Sequence, residues 1–151
     1  MLAVALEPSQ VKTFMGQLLR EDIFDGFEVR TVDIGTNVHV SIDGLLAAEG
    51  EEKPSFSTWG SLRPLVYGIV KASPKPKYVK IVFSYCGAGA CELHPNAAAL
   101  FLNMAYENDG VTFTTGTAQR EFLMDRSLDT VWTEWVSGFF AQAKLLVQER
   151  A

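Results

Sequence analysis

A chain of 151 residues with 48% hydrophobic and 21% charged residues has the composition of a globular protein, not of a disordered one. Its formal net charge of −5 argues against general binding to nucleic acid or to anionic membranes. No apolar run approaches the ~20 residues of a membrane span, and the first residues lack the pattern of a signal peptide. We therefore expect one cytoplasmic domain over residues 1–151, with Cys86 and Cys91 as reduced thiols.

The first part of the chain predicts a strand, a helix and a hairpin. Alternating apolar residues indicate a strand at 2–6, and a Pro-Ser pair followed by apolar residues at helical spacing indicates a helix at 9–20. Strands follow at 27–33 and 37–43, around a turn of Gly, Thr and Asn. The run 47–54 predicts a solvated polar loop. Its glutamates are Glu49, Glu51 and Glu52.

The second part begins with the same order. A short strand at 55–57 leads into a helix over 61–72. If Ser61 caps that helix, Pro64 lies in the first turn, where its missing N–H costs nothing. A buried strand is predicted at 78–85, and an irregular loop or short helix follows it.

A hairpin and a last strand precede the final helix. The hairpin joins strands 99–107 and 111–116 through Asn108-Asp109-Gly110, because these residue types tolerate positive φ. Residues 119–124 predict one more strand.

The longest predicted helix starts at a Ser127 cap and runs to about residue 148. Its apolar stripe consists of Leu128, Val131, Trp132, Trp135, Val136, Phe139, Phe140 and Ala143. A face with four large aromatic side chains must be covered, either by the sheet or by another subunit. Trp132, Trp135 and Phe139 are therefore candidate interface residues.

Two stretches look like a worn internal repeat. Residues 4–19 align with 55–70 without a gap, and the hairpin at 27–42 has a counterpart at 100–115. A repeated strand-helix-hairpin unit fixes architecture before chemistry is considered. We predict the α+β class, with a mostly antiparallel sheet built from two such units and a long carboxy-terminal amphipathic helix. The helices at 9–20 and 61–72 should pack equivalently on that sheet.

Two stretches carry a resemblance to a known fold. LFLNMAYENDGVTFTTGTAQREFLMD (100–125) and PSFSTWGSLRPLVYGIVK (54–71) resemble in rhythm parts of one domain of a DNA sliding clamp, which is built from two strand-helix-hairpin units. The resemblance covers most of residues 1–125. It implies basic residues on the outward helix faces, where the sequence has Lys12, Arg20, Arg63 and Lys71. Solvated helix faces often carry such residues in any protein, so nucleic-acid contact is the less favoured interpretation.

A second resemblance spans nearly the whole chain. STWGSLRPLVYGIVK, LFLNMAY, TTGT and the tryptophan-bearing end are similar to a bacterial family of about this length, known only as a domain of unknown function. This resemblance implies no activity.

Cysteine and histidine give only weak signals for chemistry. Cys86, Cys91 and His94 form a C-x4-C-x2-H pattern, and His39 is the other histidine. Structural zinc needs four ligands, usually in tighter pairs, so we predict no metal site and no cofactor. A cysteine nucleophile activated by a histidine is the alternative, but nothing in the sequence positions an oxyanion hole. We assign no catalytic residue.

Two glycine-containing stretches resemble binding loops but are not assigned a site. GAGA (87–90) lacks the spacing of a phosphate loop. TTGT (114–117) reads as a tight turn at a strand end whose hydroxyls satisfy local backbone groups.

Three hypotheses of function follow. The first is a non-enzymatic module that binds a protein partner or forms a homodimer. The second is nucleic-acid contact through the basic helix faces, which would depend on salt. The third is a small enzyme or ligand-binding protein with a site near the 86–94 loop and the 114–117 turn.

Overall fold

A computed structural model describes residues 1–46, 55–72, 75–86 and 92–150 of the chain. The glutamates of the 47–54 run, the GAGA stretch, Cys91 and the side chain of Cys86 lie outside the described part. The helices within it are α1 (Val11–Arg20, after a short 3-10 turn at Pro8–Gln10), α2 (Trp59–Lys71) and α3 (Ser127–Gln142). The strands are β1 (Ala3–Leu6), β2 (Glu28–Gly35), β3 (His39–Asp43), β4 (Tyr78–Cys86), β5 (Ala97–Glu107), β6 (Gly110–Gln119) and β7 (Val147–Glu149).

The seven strands form one antiparallel sheet in the order β3-β2-β4-β5-β6-β1-β7. The predicted α+β class with an antiparallel sheet is therefore confirmed. β1 lies between β6 and β7, so the first strand in sequence pairs with the last two. Strand pairs of this separation make the fold strongly non-local.

All three helices lie on the same face of the sheet. Phe14 of α1 and Phe140 of α3 both pack on Phe113 of β6, with ring centroids 5.6 and 4.8 Å apart. Trp59 of α2 packs on Phe83 of β4 at 5.6 Å. The core is thus a single layer of side chains between the sheet and the helices.

The connection between α1 and β2 contributes two aromatic rings to this core. Phe24 stacks on Phe83 at 5.1 Å and meets Phe139 edge-on at 5.2 Å. Phe27 stacks on Tyr85 at 4.9 Å. These offset and edge-to-face contacts are the favoured arrangements of aromatic pairs. They join α3 to the sheet through a loop.

The equivalence of α1 and α2 holds only in part. Both helices pack on one face and touch each other, and the Trp59 indole N–H donates to the Leu18 carbonyl at 3.0 Å. The gapless alignment pairs Phe14 with Leu65, yet Phe14 is 1% exposed and Leu65 is 55% exposed. The inward stripe of α2 runs instead through Trp59 and Val66, because the helix begins earlier than the alignment implies.

The start of α2 differs from the prediction. Thr58, rather than Ser61, is the N-cap, and its side chain accepts a hydrogen bond from the Ser61 N–H at 3.4 Å. Pro64 consequently lies inside the helix and not in its first turn. One intrahelical hydrogen bond is lost there. The predicted strand at 55–57 is reduced to an isolated bridge between Phe56 and Leu45.

Both ends of α3 also differ from the prediction. Ser127 is the first helical residue rather than the cap. The helix ends at Gln142, since Lys144 adopts a φ of 60°, and the chain turns into β7 instead of continuing to residue 148. Leu145 is buried after this turn. The apolar pattern that suggested a longer helix therefore comes partly from a strand that covers β1.

Among the remaining predictions for the sheet, the turn between β5 and β6 is confirmed, whereas the strand at 119–124 and the turn at 114–117 are wrong. Asn108 and Asp109 have φ of 53° and 61° and join β5 to β6 as predicted. Residues 119–124 do not form a separate strand, because β6 runs on to Gln119 and the chain then leaves the sheet. TTGT lies within β6 and is not a turn, in keeping with the strand preference of β-branched threonine.

Candidate functional site

Strand ends and loops that are far apart in the sequence lie together at one end of the sheet. Cys86 of β4 pairs with Ala99 of β5, and Leu100 pairs with Thr117 of β6. The end of β4, the start of β5, the end of β6 and the start of α3 are thereby brought together. The structure therefore joins the neighbourhoods of the 86–94 loop and of residues 114–117, although no turn exists at the latter.

Three polar side chains form a chain of hydrogen bonds at this end. His94 Nε2 lies 2.9 Å from the Ser127 hydroxyl, and that hydroxyl lies 3.0 Å from Asp125 Oδ2. The backbone N–H of Asn96 donates to His94 Nδ1 at 3.1 Å. Serine, histidine and aspartate together invite comparison with a hydrolase triad, so the direction of each bond matters.

The hydrogen bonds are oriented the wrong way for Ser127 to act as a nucleophile. Because His94 Nδ1 accepts from a backbone N–H, the proton of the neutral ring lies on Nε2. Nε2 then donates to Ser127, and the Ser127 hydroxyl donates to Asp125. A catalytic base would need a free lone pair on the nitrogen facing the serine. The arrangement holds a loop in place and does not activate the Ser127 hydroxyl.

Asp125 stabilises the start of α3. Its Oδ1 accepts from the Ser127 backbone N–H at 2.9 Å while Oδ2 accepts from the hydroxyl. These two bonds, the backbone N–H first, hold the pKa of Asp125 below its ordinary value against an opposing effect of desolvation. An ionised carboxylate at a helix amino terminus also interacts favourably with the helix dipole.

The most unusual surface feature is residues 120–126, here called the 120–126 loop. Phe122 is 87% exposed and Met124 is 89% exposed, and Leu123 between them is about half exposed. These side chains line a shallow depression of about 480 Å³ together with Thr117, Gln119, Asp125, Arg126 and Asp129. Large apolar side chains with this exposure lie close together in sequence and in space.

Two amide side chains hold the backbone of this loop. Asn96 donates to the Glu121 carbonyl and accepts from the Glu121 N–H, both at 3.0 Å. Gln119 does the same for Leu123, at 3.2 and 3.1 Å. Each amide replaces the paired N–H and C=O of a neighbouring strand. The peptide groups on either side of Phe122 are therefore fixed while its ring projects into solvent.

The predicted basic residues do not form one free cationic surface. Arg63 donates two hydrogen bonds of 2.9 Å to the carboxylate of Asp25, which compensates its charge. Lys71 lies 5.8 Å from the ring of Tyr67. Lys12 and Arg20 are exposed. Nucleic-acid contact through these four residues stays a prediction, with Arg63 the least available of them.

The predicted interface residues of α3 differ in exposure. Trp132 is 1% exposed, and its indole N–H donates to the Phe101 carbonyl at 2.8 Å. Trp135 and Phe139 are partly buried and pack on Phe27. Trp132 is part of the core, so only Trp135 and Phe139 could contribute to an interface.

The described part of the chain holds neither a metal-ligand cluster nor a membrane-spanning helix. In residues 1–46, 55–72, 75–86 and 92–150, no group of three or more His, Cys, Asp or Glu side chains could hold a metal ion. His39 lies beside the start of β4, at the opposite end of that strand from Cys86, and contacts Tyr78 and Asp33. No helix in the same described ranges is long and apolar enough to cross a membrane.

Comparison with known families gives one match. The sequence model of a family of unknown function, DUF5721, matches residues 17–148. The chain belongs to this family. Membership brings no activity with it. Neither the curated proteins nor the solved structures contain a match, so the resemblance to a sliding-clamp domain is not confirmed.

Sequence reasoning missed the 120–126 loop. The Phe-Leu-Met run was assigned to a strand, where alternate side chains would have been buried. The signal that could have corrected this is the density of charged and amide residues around the run, at Gln119, Arg120, Glu121, Asp125 and Arg126. The partner of His94 was also missed, because Ser127 and Asp125 lie more than thirty residues away in sequence.

Proposed function

We propose that this protein is a cytoplasmic, non-enzymatic module that binds a protein partner through the 120–126 loop. The observation that supports the proposal is the exposure of Phe122 and Met124 on a backbone fixed by hydrogen bonds. Apolar side chains that project from an ordered backbone are typical of interaction sites.

The fixed backbone of the loop lowers the entropic cost of binding a partner. A segment that orders only on binding loses conformational entropy, whereas a pre-ordered one does not. Asn96 and Gln119 already hold the peptide groups of Glu121 and Leu123 in place. The His94–Ser127–Asp125 hydrogen bonds fix the other end of the loop.

The charges of the loop indicate the kind of partner that it would bind. Arg120 and Arg126 are balanced by Glu121 and Asp125, so the loop has no net charge. A nucleic acid would be met by an excess of positive charge. The expected partner is a protein with an apolar pocket for a phenyl ring and a thioether, surrounded by a polar rim of both signs.

Site-specific photo-crosslinking tests this proposal. A photo-reactive amino acid at position 122 should crosslink a discrete protein in extracts of the source organism, and the same group at Leu146, which is 63% exposed, should not. The purified partner should then bind with a Kd raised about 30-fold or more by Phe122→Ala, as for a central anchor residue.

Two further variants distinguish specific binding through the 120–126 loop from nonspecific association of exposed apolar residues. Gln119→Ala should weaken binding although its side chain points to the loop backbone, because it frees Leu123. Leu146→Ala should leave the Kd unchanged. Equal crosslinking from positions 122 and 146, or unchanged affinity of Phe122→Ala, would contradict the proposal.

A further inference from the structure

β3 is an open edge of the sheet, and its free backbone groups can be identified. Two hydrogen bonds fix the ladder: Gly44 N–H donates to the Arg30 carbonyl at 3.0 Å and Thr36 N–H to the Val38 carbonyl at 2.9 Å. In an antiparallel pair, alternate residues face the neighbouring strand. Val40 and Ile42 therefore turn their peptide groups toward β2. The peptide groups facing away from the sheet belong to His39, Ser41 and Asp43.

Within the described part of the chain, this edge has little protection against pairing with another chain beyond the charge of Asp43. Proteins blunt edges with charged side chains (lysine especially), proline, bulges, very short strands or a covering segment. β7, at the opposite edge, has three residues, whereas β3 has five and contains neither lysine nor proline. Its register against β2 is unbroken from His39 to Asp43. Among the described residues, none pairs with the open side of β3.

Apolar side chains extend this edge at both ends. Val38 lies directly before β3 and Leu45 and Leu46 lie shortly after it, and all three are exposed. They are a second group of exposed large apolar residues, separate in sequence from the 120–126 loop. An unprotected edge with exposed apolar residues beside it is typical of a contact surface.

The sequence of β3 is complementary to itself. We propose that a second copy of this chain pairs with β3 in antiparallel orientation, with Ser41 opposite Ser41 of the partner subunit. His39 then faces Asp43 of the partner subunit, and Val40 faces Ile42 of the partner subunit. A histidine facing a carboxylate and paired β-branched side chains are favourable cross-strand neighbours. By two-fold symmetry each of these pairs occurs twice.

The free backbone groups select the same register. His39, Ser41 and Asp43 face outward, and in this register they form three hydrogen-bonded residue pairs with the three outward residues of the partner. A shift of two residues would leave an outward residue unpaired on each strand and would separate His39 from Asp43 of the partner subunit. The side-chain pattern and the hydrogen-bond pattern thus agree on one alignment.

The result is one continuous antiparallel sheet across two subunits. The two-fold axis is perpendicular to the sheet, so the helices of both subunits lie on the same side. Val40 and Ile42, which are partly buried against the core, would become shielded at the junction. This surface is separate from the 120–126 loop, and either proposal can fail without the other.

A proline at the symmetry axis tests the proposal. Ser41→Pro removes an N–H that faces away from β2, so the intramolecular ladder keeps its bonds, and proline is tolerated on edge strands. Sedimentation over a concentration series should show the wild type as a dimer of about 33 kDa, twice the 16.6 kDa of the chain. Ser41→Pro should sediment as a monomer with an unchanged circular dichroism spectrum, and Ser41→Ala should remain a dimer.

A crosslink gives a second readout should the proline variant unfold. Residues opposite each other in a hydrogen-bonded pair have Cα atoms about 5.5 Å apart, within disulfide range. In a Cys86→Ser, Cys91→Ser background, Ser41→Cys should form a covalent dimer on mild oxidation, and the control Gln142→Cys should not. A monomeric wild type, a dimer that survives Ser41→Pro, or equal crosslinking at both positions would overturn the proposal.

Discussion

A serine, a histidine and an aspartate can lie together without forming a catalytic triad, as the hydrogen bonds of Ser127 show. Its hydroxyl accepts a hydrogen bond from His94 Nε2 and donates one to Asp125 Oδ2, whereas a nucleophilic serine donates its hydrogen bond to the lone pair of the histidine. The order follows from one backbone contact, the Asn96 N–H on His94 Nδ1. The binding function that we propose for this end of the sheet therefore rests on exposed apolar side chains and on the hydrogen bonds that hold them, not on Ser127.

Asp125 makes the start of α3 sensitive to acid. Its pKa is lowered in the fold, chiefly by the Ser127 backbone N–H, so the carboxylate stabilises the protein above the unfolded value of about 4 and this contribution is lost as the pH falls through the folded pKa. Asp125→Asn cannot ionise. The difference in Tm between wild type and Asp125→Asn should be largest near neutral pH and shrink below about pH 4.

Thermal unfolding followed by circular dichroism across this pH range provides the measurement. Glu134→Gln, an exposed change on the same helix, is the matched control and should show no comparable trend. A Tm difference that stays constant from neutral to acid pH would show that the carboxylate is not paired as described.

Little of the site was visible in the sequence, and particular residues show why. Asn96 and Gln119 act through side-chain bonds to backbone groups, and amides at those positions carry no pattern of their own. The Phe-Leu-Met run at 122–124 reads as strand because hydrophobic residues are assumed to be buried. Exposure depends on where the chain leaves the sheet, which local periodicity does not specify.

Elements were predicted better than sites, and α3 marks the limit. Its apolar stripe correctly placed Trp132 and Val136 on one face, since helical spacing is set by local geometry. Its end was wrong, because the turn at Lys144 has positive φ without glycine or asparagine to signal it. The gapless alignment of α1 with α2 failed similarly, since Thr58 rather than Ser61 begins the second helix.

The two tryptophans of α3 should differ in their contribution to stability. Trp132→Phe removes a fully buried indole together with its hydrogen bond to the Phe101 carbonyl and leaves space in the core, so the free energy of unfolding should fall by about 1–3 kcal/mol. Trp135→Phe keeps an aromatic ring at a partly buried position and should cost less than about 1 kcal/mol. Urea unfolding monitored by circular dichroism compares them. Equal losses would mean that α3 packs on the sheet through a different face.

For the molecule as a whole, β7 is what keeps β1 from being an edge. Its pairs Val4–Glu149, Ala5–Gln148 and Leu6–Val147 cover a strand whose other side pairs with β6. A variant that ends at Leu146 should lose about 2 kcal/mol of unfolding free energy, because a few net hydrogen bonds disappear. It should also associate more readily through the exposed β1 edge.

Urea unfolding and light scattering at equal concentration measure these two effects. A Gln148→Ala variant keeps the backbone pairing and serves as the control, and it should resemble the wild type in both measurements. Unchanged stability on truncation would mean that β7 contributes nothing to the sheet.

The place of β1 has a consequence for how the protein is made. Ala3 pairs with Thr114, so β1 leaves the ribosome well before its partner strand, which is translated 111 positions later (114 minus 3). At roughly 5–20 residues per second, this is a delay of roughly 5–20 s. During translation β1 is a bare strand and the sheet lacks one side. The sheet can therefore be completed only after β6 and β7 have been synthesised, and conditions that slow elongation between β1 and β6 should lengthen the exposure of β1 to chaperones.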